Sequence, residues 1–380
     1  MYKPALLLYN VIVRSVLASD YAACMPKMTC FQLTPYTDRA DLVFDCASTN
    51  APSQPAKANV YFMHGNDGPR SKGMWALMME AFSSHGYNCL ACDQRGFSPG
   101  ASPNSSKEYN YDFLAQDIFA IADSHFGAGD KFHVVAHDQG GRVGWHALRP
   151  SGSGRDRFAS YAALAEAHSD AFSDALYGNN AYSKQQKVFQ YLRDFTLPNP
   201  AFIYGGAIFK NVCQHYYHYT NQTLCQTAIW WYAGAVESGN LAVAPFTGDL
   251  AVFGPVGQSI GIPVSFVQEH TPYPLEGLPQ TTRVGFVPKV PILYMCGSGE
   301  LVDKCDARMR DASAKLVENF AYANIVGCSH DLTTPNKCPK YKHVIDTILQ
   351  HIEAAQGEQG NLLQLVGGGE SEGARGYLVT

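Results

Sequence analysis

The sequence contains no uninterrupted apolar run of the roughly 18 residues that suggest a membrane-spanning helix. Charge is scarce as well, with 16% of residues charged, a formal net charge of −5 and no long basic run. That leaves no electrostatic footprint for nucleic acid and favours a small neutral or weakly charged partner. There is no internal repeat, and no clustered Cys/His spacing of the kind that holds a metal. Hydrophobic residues make up 46% of the 380 positions and aromatics 12%, which allows a large core and is the reverse of a disordered composition. The length would permit two domains, but α/β folds hold this many residues in one domain with insertions.

The N-terminus "MYKPALLLYNVIVRSVLAS" has one early lysine and then a mostly apolar run, interrupted by Asn10 and Arg14. It reads either as a signal peptide or as a helix lying on the domain. Eleven cysteines are many for this length, and odd in number. Cys89, Cys92 and Cys296 fall in apolar strand-like segments, where a free thiol is an ordinary buried residue. Cys213/Cys225 and Cys328/Cys338 are spaced like short disulfide loops, which fit an oxidising compartment. The sequons at Asn104 and Asn221 point the same way. Secreted and cytoplasmic locations both stay open, as does the oligomeric state.

From about residue 30 to 165, β-rich runs alternate with helical patterns. "DLVFDC", "NVYFMHG", "YNCLACD", "KFHVVAHD" and "FASYAALAEA" read as strands, "GMWALMMEAFSSHG" and "YDFLAQDIFAIADSHF" as helices. This alternation predicts a mainly parallel sheet with helices on both faces. Residues 168–285, rich in Tyr, Trp, Phe, Pro and Asn, read as a helical insertion over the sheet. The alternation then resumes with the strand "VPILYMCG", the helix "ARMRDASAKLVEN", the strand "FAYANIVG" and the helix "KYKHVIDTILQHIEAA". The expected organisation is a core over 30–167 and 286–355, a cap over 168–285 and a flexible tail over 356–380.

Four elements carry chemistry, each after an expected strand. Ala136-His137-Asp138-Gln139-Gly140-Gly141 has the pattern small-x-nucleophile-x-small. A tight strand-to-helix turn needs small neighbours because it holds the central residue in a strained backbone with its side chain in open space. The alternative for Asp138 is a cap on the helix that begins near Gly140. His64-Gly65-Asn66 follows the strand "NVYFM", and the N–H groups of Asn66 and Gln139 suit a developing oxyanion. Trp75 is grouped with His64, Asn66 and Gln139 as a substrate-binding candidate. Glu300 sits in the turn after "LYMCG", and His330 in "VGCSHDL". The order Asp138, Glu300, His330 is the nucleophile–acid–base order of the α/β-hydrolase fold. Asp303, one helical step further on, is a further candidate for the acid.

With these motifs the chain resembles the α/β-hydrolase superfamily over about residues 30–355. Within it the chain looks like the epoxide hydrolase and haloalkane dehalogenase branch, which uses an aspartate nucleophile. "DQRGFSPGAS" at 93–102 and "HSDAFSDAL" at 168–176 match further family segments. "QYLRDFTLPNPA" and "WWYAGAVESGNLA" resemble the cap segments of epoxide hydrolases. The resemblance implies that Tyr191 and Tyr232 donate hydrogen bonds to the epoxide oxygen, which needs acidic donors as the ring opens. It also implies a covalent Asp138 ester, hydrolysed by water that His330 activates, with no cofactor and no metal. A resemblance to the dehalogenases that place the acid after the preceding strand would make Glu166 a third candidate for it.

Several positions depart from the family pattern. Gln139 stands where most relatives have a Trp that dehalogenases use to bind the departing halide. His-Gly-Asn resembles the dehalogenase turn, and Asp67 stands where epoxide hydrolases place a proline. Arg142 half-matches a fluoroacetate dehalogenase-like motif, or is simply helix surface. The expectation is an epoxide hydrolase acting on a small apolar organic substrate. Carbon–halogen hydrolysis, an epoxide-opening isomerase or cyclase, and a non-catalytic binding protein are the alternatives.

Overall fold

In a computed structural model, the structure is described for Cys24 and residues 27–65, 72–149, 154–177, 230–231, 234–235, 289–299 and 305–357. Eight strands form one sheet: β1 (Thr29–Leu33), β2 (Phe44–Thr49), β3 (Ala58–Met63), β4 (Tyr87–Cys92), β5 (Phe132–His137), β6 (Phe158–Leu164), β7 (Ile292–Gly297) and β8 (Phe320–Ile325). Their spatial order is β1-β2-β4-β3-β5-β6-β7-β8. β1 and β2 pair antiparallel to each other and β2 to β4, while the six strands β3 to β8 run parallel. The sequence pattern predicts no strand at β1, and "DLVFDC" begins three residues ahead of β2 and overlaps its first half. β1 is mostly exposed at the sheet edge, and only Phe31 and Leu33 pack partly buried against the core, so its five residues carry a short apolar pattern.

Among the described residues, the helices that flank the sheet are α1 (Ala76–Ser84), α2 (Tyr111–His125), α3 (Gln139–Ala147), the short α4 (Gly154–Arg157), α5 (Ser169–Tyr177), α6 (Ala307–Ala314) and α7 (Tyr341–Ala355). Two apolar cores lie on the two sides of the sheet. Tyr61, Met63, Val134 and Ala136 join one core with α2 and α3, while Val60, Phe62 and Val135 join the other with α1 and α7. Alternating strand residues therefore serve opposite cores, as parallel strands covered on both faces require. β5 is buried along its whole length, which makes it a rigid platform for the residue that follows. This is the expected α/β architecture, a mostly parallel sheet flanked by helices.

The connection from β6 to β7 spans residues 165–291, the stretch that the sequence reading assigns mainly to a cap. Most of it lies outside the described residues, as does the expected tail beyond Gly357.

Two expectations about cysteine are corrected. Cys92 pairs with Cys46, and Cys296 with Cys305, so neither is a free thiol. Cys46 and Cys92 stand directly opposite each other on antiparallel neighbours, a relation of sheet register that linear spacing cannot reveal. Cys24–Cys30 is a third disulfide, Cys328–Cys338 forms as its spacing suggested, and Cys89 is free and buried. Cys213 and Cys225 lie outside the described residues.

Candidate active site

Asp138 sits between β5 and α3 with φ 52° and ψ −123°. An L-residue at such an angle costs on the order of 1–3 kcal/mol, so surrounding packing must impose it. The Asp138 N–H donates to the Leu164 carbonyl at 3.1 Å, and its own carbonyl accepts from Arg142 N at 3.1 Å. Its side chain makes no capping bond to α3, so helix capping does not account for the residue. Small neighbours are obligatory here. A Cβ on Gly140 would sit against the His64 carbonyl and 2.9 Å from that of Met63, and one on Gly65 would lie 2.6 Å from Asp138 Cβ.

The chain returns to this point after β8. His330 Nε2 lies 3.3 Å from Asp138 Oδ2, and the two side chains are 17% and 7% exposed. Residues separated by most of the core thus meet at the carboxyl ends of parallel strands, the usual position for a site in this architecture. His137, immediately before Asp138, carries the junction further. Its Nε2 lies 2.9 Å from the His330 carbonyl, and the two rings are 4.8 Å apart.

The His64 turn is braced from behind. His64 Nδ1 lies 2.8 Å from the Gly65 carbonyl, and Nε2 lies 2.9 Å from Gln94 N. A backbone N–H can only donate, so Nε2 accepts and the proton resides on Nδ1. The Gln94 amide also donates to the His64 carbonyl. His64 is therefore a neutral strut for the turn that leads to Asn66. Gln139 is fully buried, and its Oε1 accepts from the Tyr111 hydroxyl at 3.1 Å. Trp75 is fully buried and packs on Phe62, 5.3 Å between ring centres, within the core shared with α1 and α7.

Arg142 is not helix surface. It is 1% exposed, and its Nε and Nη2 reach Glu166 Oε1 at 2.9 and 2.6 Å, with Phe172 stacked 4.2 Å from the guanidinium. Glu166 is thus the counter-ion of Arg142, tying α3 to the turn after β6. Ala165, at φ 55°, donates its N–H to Met295 O at 2.8 Å in that same turn.

Asn66, Tyr191, Tyr232, Glu300 and Asp303 lie outside the described residues. Next to Tyr232, the Trp231 indole N–H donates to the Arg95 carbonyl at 2.8 Å, and its ring meets Phe97 edge-on. Phe97 in turn meets His64. A line of aromatic contacts therefore links this segment to the His64 turn. His137 and Gln94 received no role from sequence, and the pairing of Arg142 with Glu166 was not expected. Adjacency to Asp138 was the available signal for His137, and the "DQRG" segment for Gln94. Among the described residues, no group of three or more His, Cys, Asp or Glu side chains could hold a metal ion. None of the described helices is long and apolar enough to cross a membrane.

Sheet order, elbow and late histidine define an α/β-hydrolase-fold protein. Residues 58–208 match the family model for the alpha/beta hydrolase fold. Over 90 residues the chain is 37% identical to epoxide hydrolase 1 of Caenorhabditis elegans, a match covering 23% of this chain and 21% of that protein. Over 99 residues it is 32% identical to epoxide hydrolase B of Mycobacterium tuberculosis, covering 26% and 27% respectively. The matched segment thus spans about a fifth to a quarter of these curated relatives. A solved structure from a study of epoxide hydrolases in metagenomes from hot environments superposes with a TM-score of 0.58 at 18% identity, over 88% of this chain and 99% of that one. Potato (Solanum tuberosum) epoxide hydrolase I superposes with a TM-score of 0.51 at 18% identity, over 85% and 100%.

Proposed function

We propose that this protein is a hydrolase that opens an epoxide to a vicinal diol through an ester on Asp138. The observation that carries the reading is the carboxylate of Asp138 on a strained elbow, making no helix cap and facing His330 Nε2 at 3.3 Å. The relatives named as epoxide hydrolases support it.

In the first half-reaction an oxygen of Asp138 attacks a ring carbon, and the C–O bond of the epoxide breaks. The leaving oxygen carries the developing negative charge, and Tyr191 and Tyr232 are assigned as its donors. In the second, water attacks the ester carbonyl while His330 takes its proton. The tetrahedral intermediate then breaks its bond to the diol oxygen, which leaves as a hydroxyl on taking up the proton held by His330. The Asp138 carboxylate and neutral His330 are thereby regenerated. The N–H groups of Asn66 and Gln139 hold the oxyanion. Glu300, with Asp303 as the nearby alternative, stabilises the imidazolium. The pairing of Glu166 with Arg142 argues against Glu166 in that role. Gln139 in place of a tryptophan removes an indole donor for a departing halide and favours an epoxide over a carbon–halogen bond.

A single turnover of an aryl epoxide in heavy-oxygen water tests the scheme. The first diol should be unlabelled and the label should enter the Asp138 carboxyl. Label in the first diol would remove Asp138 as nucleophile. Halide release from a brominated alkane, with no diol from the epoxide, would move the assignment to dehalogenation.

A further inference from the structure

His330 lies inside a covalent ring. Cys328, just after β8, is joined to Cys338, just before α7, ten residues later. Both sulfur-bearing residues are buried, at 1% and 0% exposure. The anchors at each end are firm. The Cys328 carbonyl accepts from Gly299 N at 2.8 Å, and the Cys338 carbonyl from Tyr341 N at 3.0 Å in the first turn of α7. Within the ring, the Asp331 carboxylate accepts from Thr333 N at 3.0 Å, Thr333 Oγ1 at 2.8 Å and Thr334 Oγ1 at 3.2 Å, while Leu332 is fully buried. Gly297, at the end of β7, packs so closely that a Cβ there would collide with the Ser329 carbonyl.

The turn after β7 is bracketed in the same way. Cys296 and Cys305 close the stretch that carries Glu300 and Asp303. Exchange between the pairs is disfavoured, since Cys89, the free cysteine among the described residues, is buried and burial raises its thiol to about 12.

The geometry points to the Cys328–Cys338 disulfide as a positioning element for His330. It fixes both ends of a short loop whose third residue must hold its imidazole near the carboxyl of Asp138. Displacing a catalytic group by about 1 Å can cost on the order of a hundredfold in rate. The inference rests on the Asp138-ester reading, in which His330 acts only in the second half-reaction. It follows that the disulfide governs hydrolysis of the ester and not its formation. It also places the working enzyme in an oxidising compartment, where such bonds persist.

The test measures the two half-reactions separately by rapid quench of the full-length protein with an aryl epoxide, reading the ester as a mass increment on the intact chain. In Cys328→Ser/Cys338→Ser, ester formation should stay within about twofold of the parent. Ester hydrolysis should fall about tenfold or more, so that the adduct accumulates. Cys24→Ser/Cys30→Ser, which opens a disulfide at the edge strand, should change neither rate. Equal loss in both half-reactions, or no loss in either, would overturn the inference. If the double variant does not fold, the same rates are measured on the parent protein during graded thiol reduction, with peptide mapping to time the opening of Cys328–Cys338. Hydrolysis should then slow in step with that opening, and its independence of it would refute the claim. Absence of any ester, in the parent and in His330→Gln alike, would strike the Asp138-ester reading instead.

Discussion

His137 and His330 are locked together, Nε2 of the first lying 2.9 Å from the backbone carbonyl of the second. A carbonyl can only accept, so His137 keeps a proton on Nε2 and its other nitrogen unprotonated in the neutral form. β5 thereby holds the loop that carries His330 directly, one residue before Asp138.

Removing that donor in His137→Ala should slow the step proposed for His330. A hydrogen bond of this kind contributes about 0.5–1.5 kcal/mol, which corresponds to a two- to tenfold fall in the hydrolysis of the Asp138 ester. Single-turnover kinetics should show ester formation little changed. A larger loss in formation than in hydrolysis would mean that His137 shapes the elbow rather than the base.

Gly65 and Asp138 give the complementary case. A Cβ at 65 would lie 2.6 Å from Asp138 Cβ and 2.8 Å from Oδ1, closer than atoms tolerate. Gly65→Ala should therefore displace the carboxylate and lower the rate of ester formation by about a hundredfold, the scale set by a displacement of about 1 Å. The folded state should lose about 1–3 kcal/mol, as overpacking does. Normal ester formation in this variant would show that the elbow can yield without cost.

Much of this arrangement was legible in the linear chain. Asp138 stands out because a strained turn demands small residues in a fixed local order, whereas Gly65 and His330 were marked only by following strands in the right order. Most strands of the parallel sheet were legible for a similar reason, since segments such as "HVVAH" are apolar on both faces. What could not be read were relations across the fold. Arg142 was open between a half-matched motif and helix surface, because nothing local reveals Glu166 packed behind α3. Cys46 and Cys92 are partners only through strand register, and His64 looked like a substrate-facing group until Gln94 was found bonded to its ring.

The Arg142–Glu166 pair yields a prediction that separates stability from chemistry. Breaking a buried ion pair leaves one charge without compensation and costs about 3–5 kcal/mol. Arg142→Met should show a loss of that order in chemical denaturation, and Glu166→Gln a smaller one because an amide can still accept. If the Glu166 carboxylate oriented His330, Glu166→Gln would instead leave stability nearly intact and abolish ester hydrolysis.

Three buried histidines set the response of the fold to acid. Burial lowers His133 to about 3, with the neighbouring His351 adding to the shift. His351 is lowered to about 4 by burial, although the Pro291 and Tyr161 backbone pulls the other way. His168 is lowered to about 4 by burial, with Asp170 opposing and Arg149 reinforcing. Around His133 the polar contacts are neutral, Ser160 at 2.8 Å and Gln356 at 3.3 Å. In the unfolded chain each histidine titrates near its ordinary value of about 6.5, so below that pH the unfolded state binds protons that the folded state refuses. Their contribution is fully present above about pH 6.5 and is lost as pH falls towards 4. Each histidine adds a slope of up to about 1.4 kcal/mol per pH unit in that window. Denaturation midpoints measured from pH 7 to pH 4.5 should therefore fall steeply. His351→Leu, which removes one titrating group from a buried site, should flatten the slope by about a third. An unchanged slope in that variant would mean that His351 is protonated in the folded protein after all.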